Sequence, residues 1–244
     1  MSESLIVAEP VGGWREPWPR VFELASSLPV DRWALVGGLM VQAHALAAQI
    51  ETTRVTLDVD AAVRVEAGVF SYSEAAAALV QLGYTLDDST QRAYRFSRGA
   101  DIVDLMVPDH ERPPPRHARR EVMQVEAGNQ AMGRLQVVRF THDRTEFDIF
   151  VPTLHGALVL KAAAHMVDQR DRDRHLLDAI TLLACIDDVE PIVGELRGSD
   201  RRRLLHMLSA FEEQPLVGAQ APTDTLLLAR RTAIDLHAAL KPVG

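Results

Sequence analysis

Several features that would narrow the class of this protein are scarce or missing in its sequence. The chain has one cysteine, Cys185, which excludes an intrachain disulfide, and its apolar surroundings (TLLACI) predict a thiol buried in the core. No run of roughly 18 apolar residues indicates a transmembrane helix. The first 20 residues are of mixed polarity and lack the pattern of a secretory signal. These absences predict a cytoplasmic protein with no membrane partner.

Positive charge is also in short supply. The 26 basic residues are outnumbered by 34 acidic ones, which gives a formal net charge of -8. That balance disfavours a surface coated for non-specific nucleic-acid binding, although a local basic groove remains compatible with it. The arginine-rich segments are interrupted by acidic residues, as is typical of solvated surfaces: Arg112, Arg116, Arg119 and Arg120; Arg170, Arg172 and Arg174; Arg201, Arg202 and Arg203. Zinc-like spacing is missing among the histidines His110, His117, His142 and His165.

Two adjacent glycines, Gly37 and Gly38, follow a short apolar stretch. Residues 33–36 (WALV) predict a buried strand, and residues 39–48 (LMVQAHALAA) predict a helix, so the glycines are expected to form the turn between them. A turn without side chains lets backbone N–H groups approach a phosphate, and the helix N-terminus adds partial positive charge. The alternative is a tight turn that needs only a positive φ.

The segment 54–60 (RVTLDVD) alternates polar and apolar residues and predicts a strand. One face would present Arg54, Thr56, Asp58 and Asp60, and the other face would pack through Val55, Leu57, Val59 and Ala61. Two carboxylates two residues apart repel each other unless a cation lies between them, and a divalent ion that also binds phosphate meets that need. The pattern therefore predicts chemistry on a nucleoside triphosphate, with a solvated strand face as the alternative.

A third carboxylate, Asp104, is the only charge within an apolar strand. Residues 94–97 and 102–107 predict a hairpin, and Asp104 shares a face with Ile102 and Met106. A buried carboxylate without partners is costly, so this one requires a cation or hydrogen-bond donors. Two interpretations stay open: a metal ligand, or a carboxylate satisfied by an arginine or the backbone.

Two helices further along the chain each carry an isolated charge. Thr153 is a plausible N-cap for a helix over residues 154–167 in which Lys161 is the only formally charged side chain. Asp178 is the one acid of the apolar stretch 175–183. A lysine so placed either extends to the surface or faces an anion in a cleft. The two charges could also form a purely structural buried pair.

The organisation of the chain changes near Pro152. Strands and short helices precede it: a capping box at Ser71 and Glu74 begins a helix that ends at Gly83, and residues 121–126 are expected to pair with residues 135–140. Helices follow it, with N-caps predicted at Ser199 and Thr223. This pattern predicts an α+β fold with domains 1–152 and 153–244 and an active site between them.

Three of these segments carry a family resemblance. LVGGLMVQAH, RVTLDVD and LKAAAHMVDQRDRDRHLLDAITLLA resemble the AbiEii-type nucleotidyltransferases, which include the MenT toxins of toxin–antitoxin systems within the DNA polymerase beta-like superfamily. With gaps, the resemblance covers residues 33–184. One departure is Arg174-His175, where members often have Lys-Asp. The positions that match the family's functional residues are Gly37, Gly38, Arg54, Thr56, Asp58, Asp60, Lys161 and Asp178.

The resemblance implies a polymerase-beta-like α+β core, 1–152, and a C-terminal helical bundle, 153–244, that completes the active-site cleft. It implies four catalytic residues: Asp58, Asp60, Lys161 and Asp178. It assigns nucleotide binding to Gly37, Gly38, Arg54, Thr56 and Lys161. Asp58 and Asp60, with Asp104 as a further candidate, would hold one or two Mg²⁺ or Mn²⁺ ions. Asp178 would orient Lys161.

The acceptor of the nucleotide is implied by the same resemblance. The expected substrates are an NTP and the 3′ end of tRNA, and the expected partner is a cognate antitoxin protein that opposes a toxin-like enzyme. One alternative is an enzyme that modifies a small molecule such as an antibiotic. Another is a non-catalytic nucleotide-binding module, which the two mutually repelling carboxylates disfavour because a protein without turnover has little need of them.

Overall fold

The computed structural model describes residues 5–64, 70–109 and 113–241 of the chain. Strands and helices both contribute, so the predicted α+β class is confirmed. The strands are β1 Leu5–Val7, β2 Trp33–Leu35, β3 Val59–Val63, β4 Thr85–Leu86, β5 Arg95–Arg98, β6 Asp101–Pro108, β7 Arg116–His117, β8 Arg120–Glu121, β9 Gln124–Val125, β10 Leu135–His142 and β11 Thr145–Pro152. The α-helices are α1 Trp18–Ser27, α2 Gly37–Ala48, α3 Tyr72–Gln81, α4 Gly128–Met132, α5 Leu154–Val167, α6 Arg172–Ala184, α7 Glu190–Gly194, α8 Asp200–Glu213, α9 Pro215–Gly218 and α10 Thr223–Leu240.

The chain divides into two compact units. The first comprises residues 1–40 and 56–153, and the second comprises residues 41–55 and 154–244. All the strands named above belong to the first unit, and helices α5 to α10 belong to the second. Nowhere in the described ranges is there a helix with the length and apolar character needed to cross a membrane.

The first unit is built on a sheet with the strand order β2-β3-β6-β5-β4, with β9 beside β6. β3 runs parallel to β6, and β5 pairs antiparallel with β6, which confirms the predicted hairpin. A second sheet has the order β1-β10-β11. Trp33, Phe96 and Leu105 share one face of the larger sheet and are fully buried, whereas the face of Asp104 also carries half-buried side chains such as Ile102 and Met106.

The predicted strand over residues 54–60 is wrong for its first five residues. β3 begins only at Val59, where pairing with β6 starts. Val55 and Leu57 are 75% and 76% exposed, whereas Thr56 is 2% exposed, so the expected packing face does not form there. Alternation sorts side chains only where a residue is held in a hydrogen-bonded ladder, and residues 54–58 have no strand partner.

The predicted pairing of residues 121–126 with 135–140 is also wrong. β9 pairs with the end of β6, and β10 pairs with β1 and β11. The connection contains α4 in place of a hairpin turn. The buried carboxylate of Asp109, at the end of β6, accepts hydrogen bonds from the backbone N–H groups of Ala127 (3.1 Å) and Asn129 (2.9 Å) and holds the start of α4 there.

Helix boundaries follow the predictions more closely. The capping box of Ser71 and Glu74 is present, and the helix it begins, α3, ends at Gln81, two residues before Gly83. Ser199 directly precedes α8, although its side chain makes no capping hydrogen bond. Thr223 is the first residue of α10 and Pro222 takes the cap position, so that N-cap prediction is wrong by one residue.

The second unit contains the two charged positions predicted on helices. Helices α5 and α6 pack against each other, and α8 and α10 pack against this pair. Cys185 follows α6 and is 8% exposed, and burial raises the pKa of its thiol to about 12. This confirms the prediction of a thiol buried in the core.

Candidate functional site

Three carboxylates of the first unit meet on the central strands of the larger sheet. Asp60 on β3 lies in register with Asp104 on β6, and Asp58 immediately precedes β3. Each of the three offers a carboxylate oxygen within 4.8 Å of the other two. Asp104 is buried, and Asp58 and Asp60 are half-buried. We call this group, together with Arg95, the carboxylate cluster.

Gly37 makes room for one of these carboxylates. It lies at the start of α2 with φ +66°, and a Cβ atom at this position would lie 1.8 Å from the Asp60 Oδ2 atom. The backbone N–H of the preceding Val36 donates to the Asp60 carbonyl oxygen at 2.9 Å. Two properties of glycine are therefore used here, the left-handed φ and the missing side chain. The glycine pair begins the helix and does not form a separate turn before it.

Arg95 supplies positive charge to the cluster. On β5 it lies in register with Asp104, and its Nε and NH2 groups donate to the two oxygens of that carboxylate at 2.8 and 2.7 Å. The NH2 nitrogen is also 3.8 Å from Asp58 Oδ2. The hydrogen bonds to Asp104 raise the pKa of Arg95 above its ordinary value, against the lowering effect of partial burial. Of the two interpretations of Asp104, the arginine partner is present.

The donor set fits a hard divalent cation. Carboxylate oxygens are the ligands that Mg²⁺ and Mn²⁺ prefer, and three acidic groups gathered within 4.8 Å repel one another without positive charge between them. Arg95 offsets part of this repulsion at Asp104. Asp60 on β3 and Asp58 just before β3 contribute the other two carboxylates. Counted over its four side chains alone, the cluster carries a formal surplus of negative charge that a divalent ion would complement.

Thr56 lies just before the carboxylate cluster in the chain. It is 2% exposed, and its hydroxyl oxygen has no hydrogen-bond partner among the described residues. A buried hydroxyl in that condition is unusual, since most are paired. Its predicted role in nucleotide binding stays a prediction.

The second unit holds the other predicted residues together. The carboxylate of Asp178 on α6 accepts from Arg54 Nε at 2.8 Å and from Arg54 NH2 at 3.2 Å, and it lies 2.6 Å from Lys161 Nζ on α5. Lys161 and Asp178 are 5% and 2% exposed. The Thr53 hydroxyl donates to the Leu177 carbonyl at 3.0 Å and so anchors the segment that carries Arg54 to α6. We call Arg54, Lys161 and Asp178 the cation cluster.

The cation cluster keeps its acid ionised. Burial acts to raise the pKa of Asp178, yet the charges of Lys161 and Arg54 and the hydrogen bonds from both hold it below its usual value. Two cations against one carboxylate leave a surplus of positive charge. The pairing of Asp178 with Lys161 was predicted; the second partner, Arg54, was not, since 124 residues separate it from Asp178.

The departure from the family pattern, Arg174-His175, has its own partner. Both side chains contact the carboxylate of Asp168, each at 3.1 Å. Burial is the main cause that lowers the pKa of His175 to about 4, helped by the charge of Lys161. In this chain, therefore, the position one turn before Asp178 carries a neutral histidine rather than an acid.

Sequence reasoning missed Arg95. The signal for this pair is its nine-residue separation across a tight hairpin, which can place two residues opposite each other. The pairing follows only when the length of the turn is known. The same separation joins Arg139 to Asp148 across β10 and β11, at 2.7 and 2.9 Å. That second pair lies on a more exposed surface and outside the carboxylate cluster.

Some side chains of the arginine-rich segments donate hydrogen bonds to backbone carbonyl oxygens of the same unit. Arg120 donates to the carbonyl oxygens of Asp87 and Thr90, at 2.7 and 2.8 Å. Arg172 donates to the Asp168 carbonyl at 3.0 Å. Arg116 and Arg119 are exposed. The candidate Arg112 lies outside the described residues, as does His110, one of the histidines without zinc-like spacing.

One histidine has potential co-ligands that the sequence spacing did not reveal. His142 lies with Glu9 and Asp143, and one possible ligand atom from each falls within 4.8 Å of the others. The Nδ1 atom of His142 is 3.5 Å from Glu9 Oε1, and the Asp143 backbone N–H donates to Glu9 Oε2 at 3.1 Å. Spacing along the chain missed this group because 133 residues separate Glu9 from His142.

The chain was compared with protein-family models, with curated proteins and with solved structures. No protein-family model matches the chain, and no curated protein matches it. Among solved structures, a match is found to the crystal structure of an antigenic nucleotidyltransferase-like protein from Paracoccidioides brasiliensis. The TM-score is 0.47 and the identity is 12%, over 80% of this chain and 92% of that one.

Proposed function

We propose that this chain transfers a nucleotide from a nucleoside triphosphate to an acceptor hydroxyl and releases pyrophosphate. The observation that carries the proposal is the grouping of Asp58, Asp60 and Asp104 within 4.8 Å. Gly37 supports it, because the close approach of Asp60 to this backbone would be blocked by any side chain. A surplus of buried or half-buried carboxylates is costly to maintain unless it binds a cation.

The reaction forms one bond and breaks another. The acceptor oxygen bonds to the α-phosphorus as the bond from that phosphorus to the β-phosphate oxygen breaks, and the hydroxyl proton passes to water. Asp58 and Asp60 would hold Mg²⁺ or Mn²⁺ through their carboxylate oxygens. Such an ion, when bound, supplies positive charge to the triphosphate and lowers the pKa of the attacking hydroxyl.

The cation cluster would bind the anionic part of the nucleotide. Lys161 and Arg54 together carry one positive charge more than Asp178 neutralises, and their hydrogen bonds to that carboxylate fix both side chains in place. Fixed cations stabilise the charge that develops on departing pyrophosphate without reorganising during the reaction. Backbone N–H groups at Gly37 and Gly38, and the hydroxyl of Thr56, would add donors for phosphate oxygens.

The acceptor we propose is the 3′ end of tRNA, in a toxin-like enzyme that a cognate antitoxin protein opposes. The support is the resemblance of three segments to the AbiEii-type nucleotidyltransferases. The arginine-rich segment around β7 and β8 adds exposed positive charge at Arg116 and Arg119. Phosphate contacts from such side chains position a nucleic acid without reading its sequence.

The direct test is a labelling experiment with the full chain. The purified protein is incubated with Mg²⁺, total cellular RNA and each of the four α-labelled NTPs in turn. We expect the label to enter RNA of tRNA size with one or more NTPs, and to be absent when Asp58→Asn replaces the wild type. Labelling that persists in this variant, or no labelling with any NTP or acceptor pool, would contradict the proposal.

Salt dependence distinguishes an RNA acceptor from a small molecule. Each phosphate contacted on a single strand contributes a log–log slope of about -0.7 to the dependence of affinity on salt concentration. We expect a steep slope for RNA, and a raised KM for RNA but not for NTP in Arg116→Glu/Arg119→Glu. The matched control is Arg230→Glu/Arg231→Glu, an exposed pair on α10. Acceptor binding that responds to neither salt nor charge reversal would favour a small-molecule acceptor instead.

A further inference from the structure

The position of Arg95 within the carboxylate cluster bears on how many cations this cluster binds. Three sheet positions lie side by side, Asp60 on β3, Asp104 on β6 and Arg95 on β5, because the strand registers place them opposite one another. The backbone of Arg95 is therefore placed by the sheet and not by a flexible loop, and hydrogen bonds to Asp104 hold its guanidinium. Its charge reaches the cluster from the β5 side.

Both oxygens of Asp104 are engaged by this guanidinium. The two hydrogen bonds, at 2.8 and 2.7 Å, form the parallel bidentate arrangement that is the strongest pairing of arginine with a carboxylate. The Asp104 side chain is only 8% exposed. A divalent ion bound to Asp104 would lie beside a guanidinium held in hydrogen-bond contact, and the two like charges would repel each other across a short distance.

The formal charges of the cluster point the same way. Three carboxylates and one guanidinium leave two negative charges, which one divalent ion neutralises. The Arg95 NH2 nitrogen, 3.8 Å from Asp58 Oδ2, extends the positive charge from Asp104 toward the pair that would hold this ion. A second ion on Asp104 would require Arg95 to leave, although the partly buried guanidinium has its best partner there.

We propose that the carboxylate cluster binds a single divalent cation, on Asp58 and Asp60, and that Arg95 occupies the place of a second cation by holding Asp104. This inference rests on the proposed function, since it concerns the same site. It makes Arg95 a positioning residue that sets the metal stoichiometry. It also removes Asp104 from the set of predicted metal ligands.

The test is a Mn²⁺ titration of the full chain, with free Mn²⁺ followed by electron paramagnetic resonance. We expect one ion per chain for the wild type and for Asp104→Asn. Asp58→Asn should weaken binding by more than about 100-fold, beyond the loss typical of residues that only orient a ligand. Arg95→Gln should bind two ions per chain, because the Asp104 carboxylate no longer holds a guanidinium and becomes a ligand.

The chain offers a matched control for Arg95→Gln. Arg139 pairs with Asp148 in the same bidentate manner, across the same nine-residue separation, but outside the carboxylate cluster. Arg139→Gln should therefore leave one ion per chain. Arg95→Gln also removes a charged hydrogen-bond partner of a buried carboxylate, so the unfolding of this variant must be checked by circular dichroism. The double variant Arg95→Gln/Asp104→Asn removes that charge and should return to one ion per chain.

The outcomes separate this inference from the proposed function. Two ions on the wild type, or a loss in Asp104→Asn as large as in Asp58→Asn, would overturn the inference and leave the proposed function standing. A second ion on the double variant would also overturn it, because Asp104 could not be the ligand. No Mn²⁺ binding by the wild type and by Arg95→Gln would overturn both.

Discussion

The carboxylate cluster and the cation cluster contain the same ion pair in opposite surroundings. Arg95 donates two hydrogen bonds to the Asp104 carboxylate, at 2.8 and 2.7 Å, and Arg54 donates two to the Asp178 carboxylate, at 2.8 and 3.2 Å. In the first unit the pair is joined by two more carboxylates, and in the second unit it is joined by Lys161. The shared pair is thus neutral in both units, and the third partners decide the sign of the surplus charge.

This difference shows how to interpret a buried ion pair. Taken alone, an arginine–aspartate pair contributes little net stability, because desolvation offsets much of the attraction. The surplus charge is the informative quantity, since it must be balanced by a ligand or by solvent. A negative surplus on carboxylate oxygens suits a divalent cation, and a positive surplus on Lys161 and Arg54 suits a phosphate. Loss of a charge should therefore affect the two clusters in opposite ways.

The largest expected effect concerns the carboxylate cluster. Asp58→Asn or Asp60→Asn should abolish nucleotide transfer, because each removes an oxygen ligand and the charge stabilisation that a bound ion provides. The melting temperature of Asp58→Asn without metal should stay level or rise, since the change relieves carboxylate repulsion. Asp88→Asn, at a fully exposed side chain, is the control and should keep full activity. Near wild-type transfer by both cluster variants would end the metal assignment.

The cation cluster should respond in the opposite sense. Asp178→Ala leaves two cations near each other in a buried environment, so urea unfolding should show a loss of about 3–5 kcal/mol. Lys161→Ala should reduce NTP binding and transfer by orders of magnitude if the lysine neutralises the triphosphate. Lys241→Ala, at the other lysine of the chain, serves as the control.

A double variant sharpens this test. If Lys161 and Asp178 act as a unit, the losses of transfer in Lys161→Ala/Asp178→Ala should be less than additive. An active Lys161→Ala enzyme that binds NTP normally would show that the cation cluster has only a structural role. Of the two clusters, only the carboxylate cluster would then keep its proposed ligand.

A smaller effect is a pH dependence in the second unit. The pKa of His175 is about 4 in the folded chain, and its ordinary value of 6.5 applies to the unfolded chain. Between these two pH values the unfolded chain therefore binds more protons than the folded chain. The contribution of His175 to the free energy of unfolding is complete above pH 6.5 and is lost as the pH falls toward 4. Between pH 7 and pH 5 the free energy of unfolding should fall by about 2 kcal/mol. Urea unfolding at both pH values measures this loss, which His175→Gln should reduce and His237→Gln should not. An unchanged pH dependence in His175→Gln would exclude the buried histidine as its source.

Gly37 gives an effect that is specific to the carboxylate cluster. Gly37→Ala should lower stability by more than the roughly 1 kcal/mol that a positive φ costs, because the added Cβ atom would lie 1.8 Å from Oδ2 and 2.6 Å from Cβ of Asp60. The change should also displace the Asp60 carboxylate and weaken Mn²⁺ binding. Gly99→Ala is a matched control, because Gly99 has φ +60° but no atom within 4 Å of the place that a Cβ atom would take. We expect a larger loss of melting temperature in Gly37→Ala than in Gly99→Ala, and a loss of Mn²⁺ affinity only in Gly37→Ala. Equal affinities would show that Asp60 does not need this approach.

The sequence by itself determined the elements with strong local signals. The capping box at Ser71 and Glu74, the hairpin that carries Asp104 and the helices that carry Lys161 and Asp178 all form near the predicted positions. Their signals are local because a cap, a tight turn or a helical apolar face depends on residues a few positions apart. The same locality explains why the predicted site residues Asp58 and Asp60 are found together.

Only the tertiary structure decided which charges meet across long separations. Arg54 is 124 residues from Asp178 in the chain, and the register of β3, β6 and β5 is what aligns Asp60, Asp104 and Arg95. The exposure of Val55 and Leu57 was likewise set by where β3 finds its partners, and not by the alternation of the segment. Alternation and composition specify which side chains are available, but pairing partners are selected by packing and strand register, which no local pattern contains.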